Sequence, residues 1–206
     1  MRNNFPAAEL IASALFAILA TSPAAADCKQ EVADAFDMQR KSSAFRMVTR
    51  MINERGPIVM TVDYLLPDRM HQTVKAAIDP GATETILIGK RAWVSGGAGW
   101  QALPMEDALS LAENMEKTVV KGGGEQPIFD CLGYVQLDSR KLKAYEAVQD
   151  KTAPPGQPAR MVYVDPTTGL PVRSIVAQKD KLDRPFFQQD YSYPQDIRIE
   201  PPAAAK

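Results

Sequence analysis

Residues 45–77 read FRMVTRMINERGPIVMTVDYLLPDRMHQTVKAA, and the period of their apolar positions decides the fold class. Phe45, Met47 and Met51 alternate with Arg46 and Arg50. After the turn signal Glu54-Arg55-Gly56-Pro57, the residues Ile58, Met60, Val62, Tyr64 and Leu66 share a face, with Thr61 and Asp63 opposite. Pro67-Asp68 turns the chain, and Met70, Val74 and Ala76 then alternate with Arg69, His71, Thr73 and Lys75. A period of two sends successive side chains to opposite faces, so each run has one apolar and one wet face. Three such runs joined by short turns predict an antiparallel meander.

Downstream, Asp79-Pro80-Gly81 makes a turn, and residues 85–88 and 92–95 flank Gly89-Lys90-Arg91 as a hairpin. Gly96-Gly97-Ala98-Gly99 separates Trp93 from Trp100 in a second hairpin. Residues 105–121 change to a helical period: Met105, Ala108, Leu109, Ala112, Met115 and Val119 form one stripe, with Glu106, Asp107, Glu113, Asn114 and Lys117 outside it. Gly122-Gly123-Gly124 ends that helix. Strands are predicted again over 133–137, 142–148, 160–165 and 170–179, with a last short one at 197–199. Upstream, residues 29–42 read as a helix with Val32, Ala35, Phe36 and Gln39 on its stripe and Glu31, Asp34 and Lys41 elsewhere. The fold class expected is α+β, mainly β. It is a large curled antiparallel sheet, a half-barrel of about nine to eleven strands, with amphipathic helices covering its concave apolar face.

The chain has 206 residues, 45% of them hydrophobic, and a net charge of −1 from 24 Lys+Arg and 25 Asp+Glu. This length supports a single domain with its own core. The even charge balance excludes a general nucleic-acid binder, and a single histidine excludes a multi-histidine metal site. Arg2, an apolar run over 10–20, and Pro23-Ala24-Ala25-Ala26 before Asp27 have the layout of a cleaved secretory signal. That run is too short to span a bilayer; an uncleaved anchor is the alternative. The expected organisation is a leader over 1–26, one domain over 27–200, and a disordered Pro/Ala tail over 201–206. Cys28 follows the charged Asp27, which does not suit a lipidated cysteine. Two cysteines in an exported chain favour a Cys28–Cys131 disulfide. Closing a loop of about 100 residues contributes up to about 4.7 kcal/mol by chain entropy. Two buried thiols are the other reading.

Catalytic signatures are lacking. The glycines before Lys90 have the wrong spacing for a phosphate loop, and no Ser or Thr follows the lysine. The glycines at 96–99 have no strand-to-helix context, and no G-x-S-x-G occurs. His71 beside Arg69 reads as a surface residue. Trp93 and Trp100 read as a hairpin clamp. Arg46, Arg50, Arg55, Arg69 and Arg91 read as a charged strand face or a patch for anionic head groups. The chain is expected not to be an enzyme and to use no cofactor.

Three passages resemble the periplasmic lipoprotein-carrier (LolA-like) family and its wider lipoprotein-binding superfamily. Tyr64-Leu65-Leu66-Pro67-Asp68-Arg69-Met70 is similar to the family's strand, Arg-Pro, strand passage. Gly89-Lys90-Arg91-Ala92-Trp93 is similar to its Asp-Gly-Lys-x-x-Trp hairpin. Tyr163-Val164-Asp165-Pro166-Thr167-Thr168-Gly169-Leu170-Pro171 is similar to its Asp-Pro-x-x-Gly-Leu-Pro hairpin. The order of elements matches over nearly the whole mature chain. Two positions depart: Leu66 stands where the family has an arginine that helps latch a lid, and Ile88 where it has the turn aspartate. The resemblance implies a half-barrel with a helical lid that holds acyl chains in the periplasm.

Chemistry supports a ligand surface on the same apolar faces. Methionine side chains are flexible and polarizable and re-pack around variable apolar ligands, and Met47, Met51, Met60, Met70, Met105 and Met115 all fall on those faces. An ordinary core that happens to use methionine is the other reading. The candidate lining is Met47, Met51, Met60, Val62, Tyr64, Met70, Val74, Leu109 and Met115. The function expected is a periplasmic binding or carrier protein for lipids or lipoprotein acyl chains. It would be a monomer making transient membrane-surface contact, with lipid or acylated protein as partner. The alternative is an envelope sensor that uses the same half-barrel to bind a protein.

Overall fold

The three alternating runs are β1 (Ala44–Asn53), β2 (Gly56–Leu65) and β3 (Arg69–Ala76) of a computed structural model that describes residues 24–96, 99–124, 127–149 and 156–203. The two hairpins that follow are β4 (Asp79–Ile88), β5 (Arg91–Ser95) and β6 (Trp100–Ala102). After helix α2 (Met105–Met115) come β7 (Phe129–Leu137), β8 (Arg140–Ala147), β9 (Ala159–Val164), β10 (Pro171–Ala177) and β11 (Phe187–Ser192). Helix α1 (Ala24–Lys41) precedes them all. The eleven strands form one antiparallel curled sheet in the order β6-β5-β4-β3-β2-β1-β11-β10-β9-β8-β7. The expected leader lies outside the described residues except for its last three positions, and residues 204–206 of the tail also lie outside them.

Register carries the apolar period across the strands. Tyr64 stands opposite Phe45 and Met70, and Val62 opposite Met47. One continuous inner face results, and the two helices divide it. α2 lays Ala108 and Met115 on Phe45, Val62, Tyr64, Met70, Leu87 and Ala92. α1 lays Val32 and Ala35 on Phe129, Tyr145, Val162 and Val164. Cys28 and Cys131 form a disulfide that ties α1 to the edge strand β7.

The outer face is charged over β1 to β3 but not everywhere. Leu142, Ala144, Met161, Tyr163 and Ile175 form a buried outer cluster. β9 is therefore apolar on both sides, which explains the unbroken run Met161-Val162-Tyr163-Val164.

Three expectations are corrected. β11, absent from the sequence reading, sits between β1 and β10 and joins the two halves of the sheet. Residues 197–199 are extended but form no strand. Ile197 and Ile199 instead cover Ile86, Trp93 and Trp100 on the outer face, and Arg69 Nη1 donates to the Ile199 carbonyl over 3.0 Å. β3 and β4 already have ladder partners on both sides, so the segment cannot add to the ladder there. Met105 is 65% exposed rather than part of the apolar stripe, because the helix starts there and first meets the sheet at Ala108.

Candidate functional site

The site is built around α2. It enters from Pro104 without a side-chain cap, and Glu106 and Asp107 in the first turn complement the positive end of the helix dipole. At its far end the helix passes into a π-helical turn, Glu116–Val120, a widened geometry frequent at functional sites. Gly122, Gly123 and Gly124 then take φ of 86°, 68° and 128°, conformations that glycine adopts without steric cost.

The helix leaves a cavity on each side of its C-terminal half. The first, of about 460 Å³, lies between Leu109, Ala112, Met115 and Val120 of the helical segment and Leu87, Gly89 and Lys90 of the sheet. Asp68, Glu113, Glu116 and Lys90 ring its mouth. The second, of about 310 Å³, lies between the C-terminal turn of α1 and the π-helical turn. Phe36, Phe45, Met47, Tyr64 and Val119 make its apolar wall; Gln39, Arg40, Arg160, Gln189 and Tyr191 make its polar wall. Under α2, between the two openings, the floor is Phe45, Val62, Tyr64 and Met70, with the Phe45 and Tyr64 rings 4.8 Å apart. Burial pushes the Tyr64 hydroxyl up to about 12 and raises Tyr191 further, so both stay neutral hydrogen-bonding groups.

The candidate residues do not fall in one place. Leu109 and Met115 line the first cavity, and Met47 and Tyr64 line the second. Val62 and Met70 are buried in the floor between them, and Met60 packs partly buried against the same cluster. Met51 lies in a separate cleft of about 420 Å³ with Ile52, Pro185 and Phe186. Val74 stands opposite Met60 in the ladder but lines neither cavity. Sequence reasoning missed Arg40, Arg160, Gln189 and Tyr191. The last two lie on the unrecognised β11, and a polar residue in a strand carries no local mark of facing inward. Ala112 was legible in the helix stripe, whereas Leu87 lies in the unbroken apolar run Ile86-Leu87-Ile88, which has no alternation to mark its face.

Elsewhere, His71 Nε2 lies 2.8 Å from Glu84 Oε2 on the outer face. Glu31 accepts hydrogen bonds from Lys143 Nζ and Tyr145 Oη, which hold its carboxyl below its ordinary value. Among the described residues, no group of three or more His, Cys, Asp or Glu is placed to hold a metal ion, and no helix is long and apolar enough to cross a membrane.

One solved structure shares this architecture, and others match it more weakly. LprF from Mycobacterium bovis superposes with a TM-score of 0.57 at 14% identity, over 88% of this chain and 99% of its own. A chain of the Pseudomonas aeruginosa MucA/MucB complex gives 0.49 at 12% identity, over 82% of this chain and 59% of its own. The LolA superfamily protein NE2245 from Nitrosomonas europaea gives 0.32 at 12% identity, over 86% and 96%. At 14% identity the likeness to LprF is one of fold alone. No protein-family model matches the sequence, and no curated protein matches it.

Proposed function

We propose that this protein is a non-catalytic periplasmic binding or carrier protein that takes the acyl chains of a lipid or an acylated protein between the sheet and α2. The observation that carries this reading is the apolar floor running under α2 from one cavity to the other. Lifting the helix about its glycine-rich exit joins the two cavities over Phe45, Val62, Tyr64 and Met70. The energies balance. Uncovering α2 exposes about four apolar side chains at about 1.5–3 kcal/mol each, and burying about a dozen methylenes at about 0.8 kcal/mol each returns a similar sum. A ligand can therefore enter and leave. The leader at 1–26 and the disulfide both suit an oxidising envelope compartment.

Native mass spectrometry and organic extraction of protein purified from periplasm test the reading. Co-purifying lipid is expected, and Leu109→Trp, which fills the first cavity from a half-exposed position, should lower binding of a fluorescent fatty acid about tenfold while far-UV circular dichroism stays unchanged. No extracted lipid together with no fatty-acid binding would end it.

The envelope-sensor reading is favoured by a different feature. β7 is a nine-residue edge strand whose Leu132 and Tyr134 are 48% and 57% exposed. Such an edge presents unpaired backbone groups to an incoming strand. In-cell crosslinking from position 134 to one envelope protein, without co-purifying lipid, would select that reading.

A further inference from the structure

The two cavities beside α2 have opposite charge. Three carboxylates and one lysine ring the first, whereas the second is lined by two guanidiniums, Arg40 and Arg160, and no carboxylate. Arg40 has a counter-ion in Asp37. Arg160 has none among the described residues; its guanidinium carbon stands 5.9 Å from the centre of the Phe129 ring, and its charge acts on the Tyr191 hydroxyl, which lines the same pocket. A guanidinium carries five donors; Arg160 is half-buried, lines the pocket, and its side-chain donors have no hydrogen-bond acceptor among the described residues. The neighbouring polar groups are already engaged: Gln39 Nε2 donates to Tyr193 Oη over 3.2 Å, and Tyr191 Oη donates to Gln189 Oε1 over 3.0 Å. The same pocket has an apolar wall of Phe36, Phe45 and Met47 that continues into the floor beneath α2.

We propose that this pocket is an anion subsite, in which Arg160, assisted by Arg40, holds the carboxylate or phosphate head group of an amphiphile whose tail runs under α2. Guanidinium is suited to this task because its fork matches both oxyanions in a bidentate way. The proposal rests on the acyl-binding reading and adds the class of head group. The ligand class is an anionic amphiphile with an apolar tail.

Titration calorimetry with three ligands of equal tail length, hexadecanoate, hexadecanol and hexadecyltrimethylammonium, tests this on the delipidated protein. The wild type should bind hexadecanoate about tenfold or more tighter than the neutral alcohol. Arg160→Gln should abolish that preference and leave alcohol binding unchanged, Arg160→Lys should keep part of it, and Lys90→Gln at the other mouth should leave it intact. Because Arg160 has no carboxylate partner among the described residues, Arg160→Gln loses only the contact with the Phe129 face and should melt within a few degrees of wild type without ligand; an arginine whose role is structural would give a large drop in melting temperature. Equal affinity for hexadecanoate and hexadecanol in the wild type, or an equal loss for both in Arg160→Gln, overturns the subsite and leaves the acyl-binding reading standing. Failure of all three ligands to bind ends both. Inorganic phosphate binding at Arg160 as tightly as hexadecanoate does would make the pocket a free-anion site and overturn the head-group assignment.

Discussion

Opening the Cys28–Cys131 bond should weaken the whole domain while leaving ligand capture intact below the melting temperature. The bond spans 103 residues of sequence. In the chain-entropy account, closing such a loop removes about 4.7 kcal/mol of freedom from the unfolded chain, an upper value because real unfolded chains keep some structure. A domain of about 180 residues shifts its melting temperature by about 2–4 °C for each kcal/mol. Reduction should therefore lower it by up to about 10–19 °C. Two arms separate the causes. Reduction keeps both sulfurs in place, whereas Cys28→Ala with Cys131→Ala also removes packing at the buried Cys28 beside Val32 and Phe129. The alanine pair should melt slightly lower than the reduced protein. The lid reading adds a functional half. The bond holds α1 to β7, and α2 is joined to the sheet by packing alone. Fatty-acid affinity of the reduced protein, measured well below its melting temperature, should stay within about twofold of the oxidised form. Coincident melting curves with and without reductant would refute the loop-entropy argument. Loss of binding on reduction would show that α1, not α2, controls the site.

Three further outcomes follow from individual contacts. Glu31 has its carboxyl lowered by Lys143 and Tyr145, so its contribution is fully present above the ordinary carboxylate value, about pH 4.3, and is lost as pH falls through the lowered one. The stability gap between wild type and Glu31→Gln should therefore shrink below about pH 4.3 in melting curves taken across pH; a constant gap down to acid unfolding would contradict the assignment. Asp190 accepts from both Arg50 and Arg173. Asp190→Asn should cost about 1–3 kcal/mol in urea unfolding and couple to Arg173→Gln in a double-mutant cycle; strict additivity would show the pair to be inert. Ile199→Ala should loosen the C-terminal segment from the outer face, cost about 2–3 kcal/mol, and shift the emission of the covered Trp93 to the red. Unchanged emission would mean that the segment does not shield the tryptophan.

Periodicity carries β1 to β3 and α2 in the sequence itself, because each has one wet and one apolar face and each step in register moves every side chain across the sheet. The same alternation marks Met47, Val62, Tyr64 and Met70 as inner residues, and the helical stripe marks Leu109 and Met115. β11 has no such contrast. In Phe187-Gln188-Gln189-Asp190-Tyr191 polar residues occupy both faces, and two of them find partners distant in sequence: Asp190 accepts from Arg50 and Arg173, and Gln189 Nε2 donates to Met47 Sδ over 3.2 Å and to Thr49 Oγ1 over 3.5 Å. A strand held by long-range polar partners leaves no local period to read.

What the sequence determined by itself is the kind of surface this chain makes: a curled sheet, apolar on one side, with two amphipathic helices to cover it. Tertiary structure alone decided which helix covers which half, that β11 closes the gap between the halves, and that Arg160 lines a cavity with no carboxylate partner among the described residues. The physical reason is range. Hydrophobic period is a property of neighbouring residues, whereas the pairing of a buried charge is settled by groups that only folding brings together.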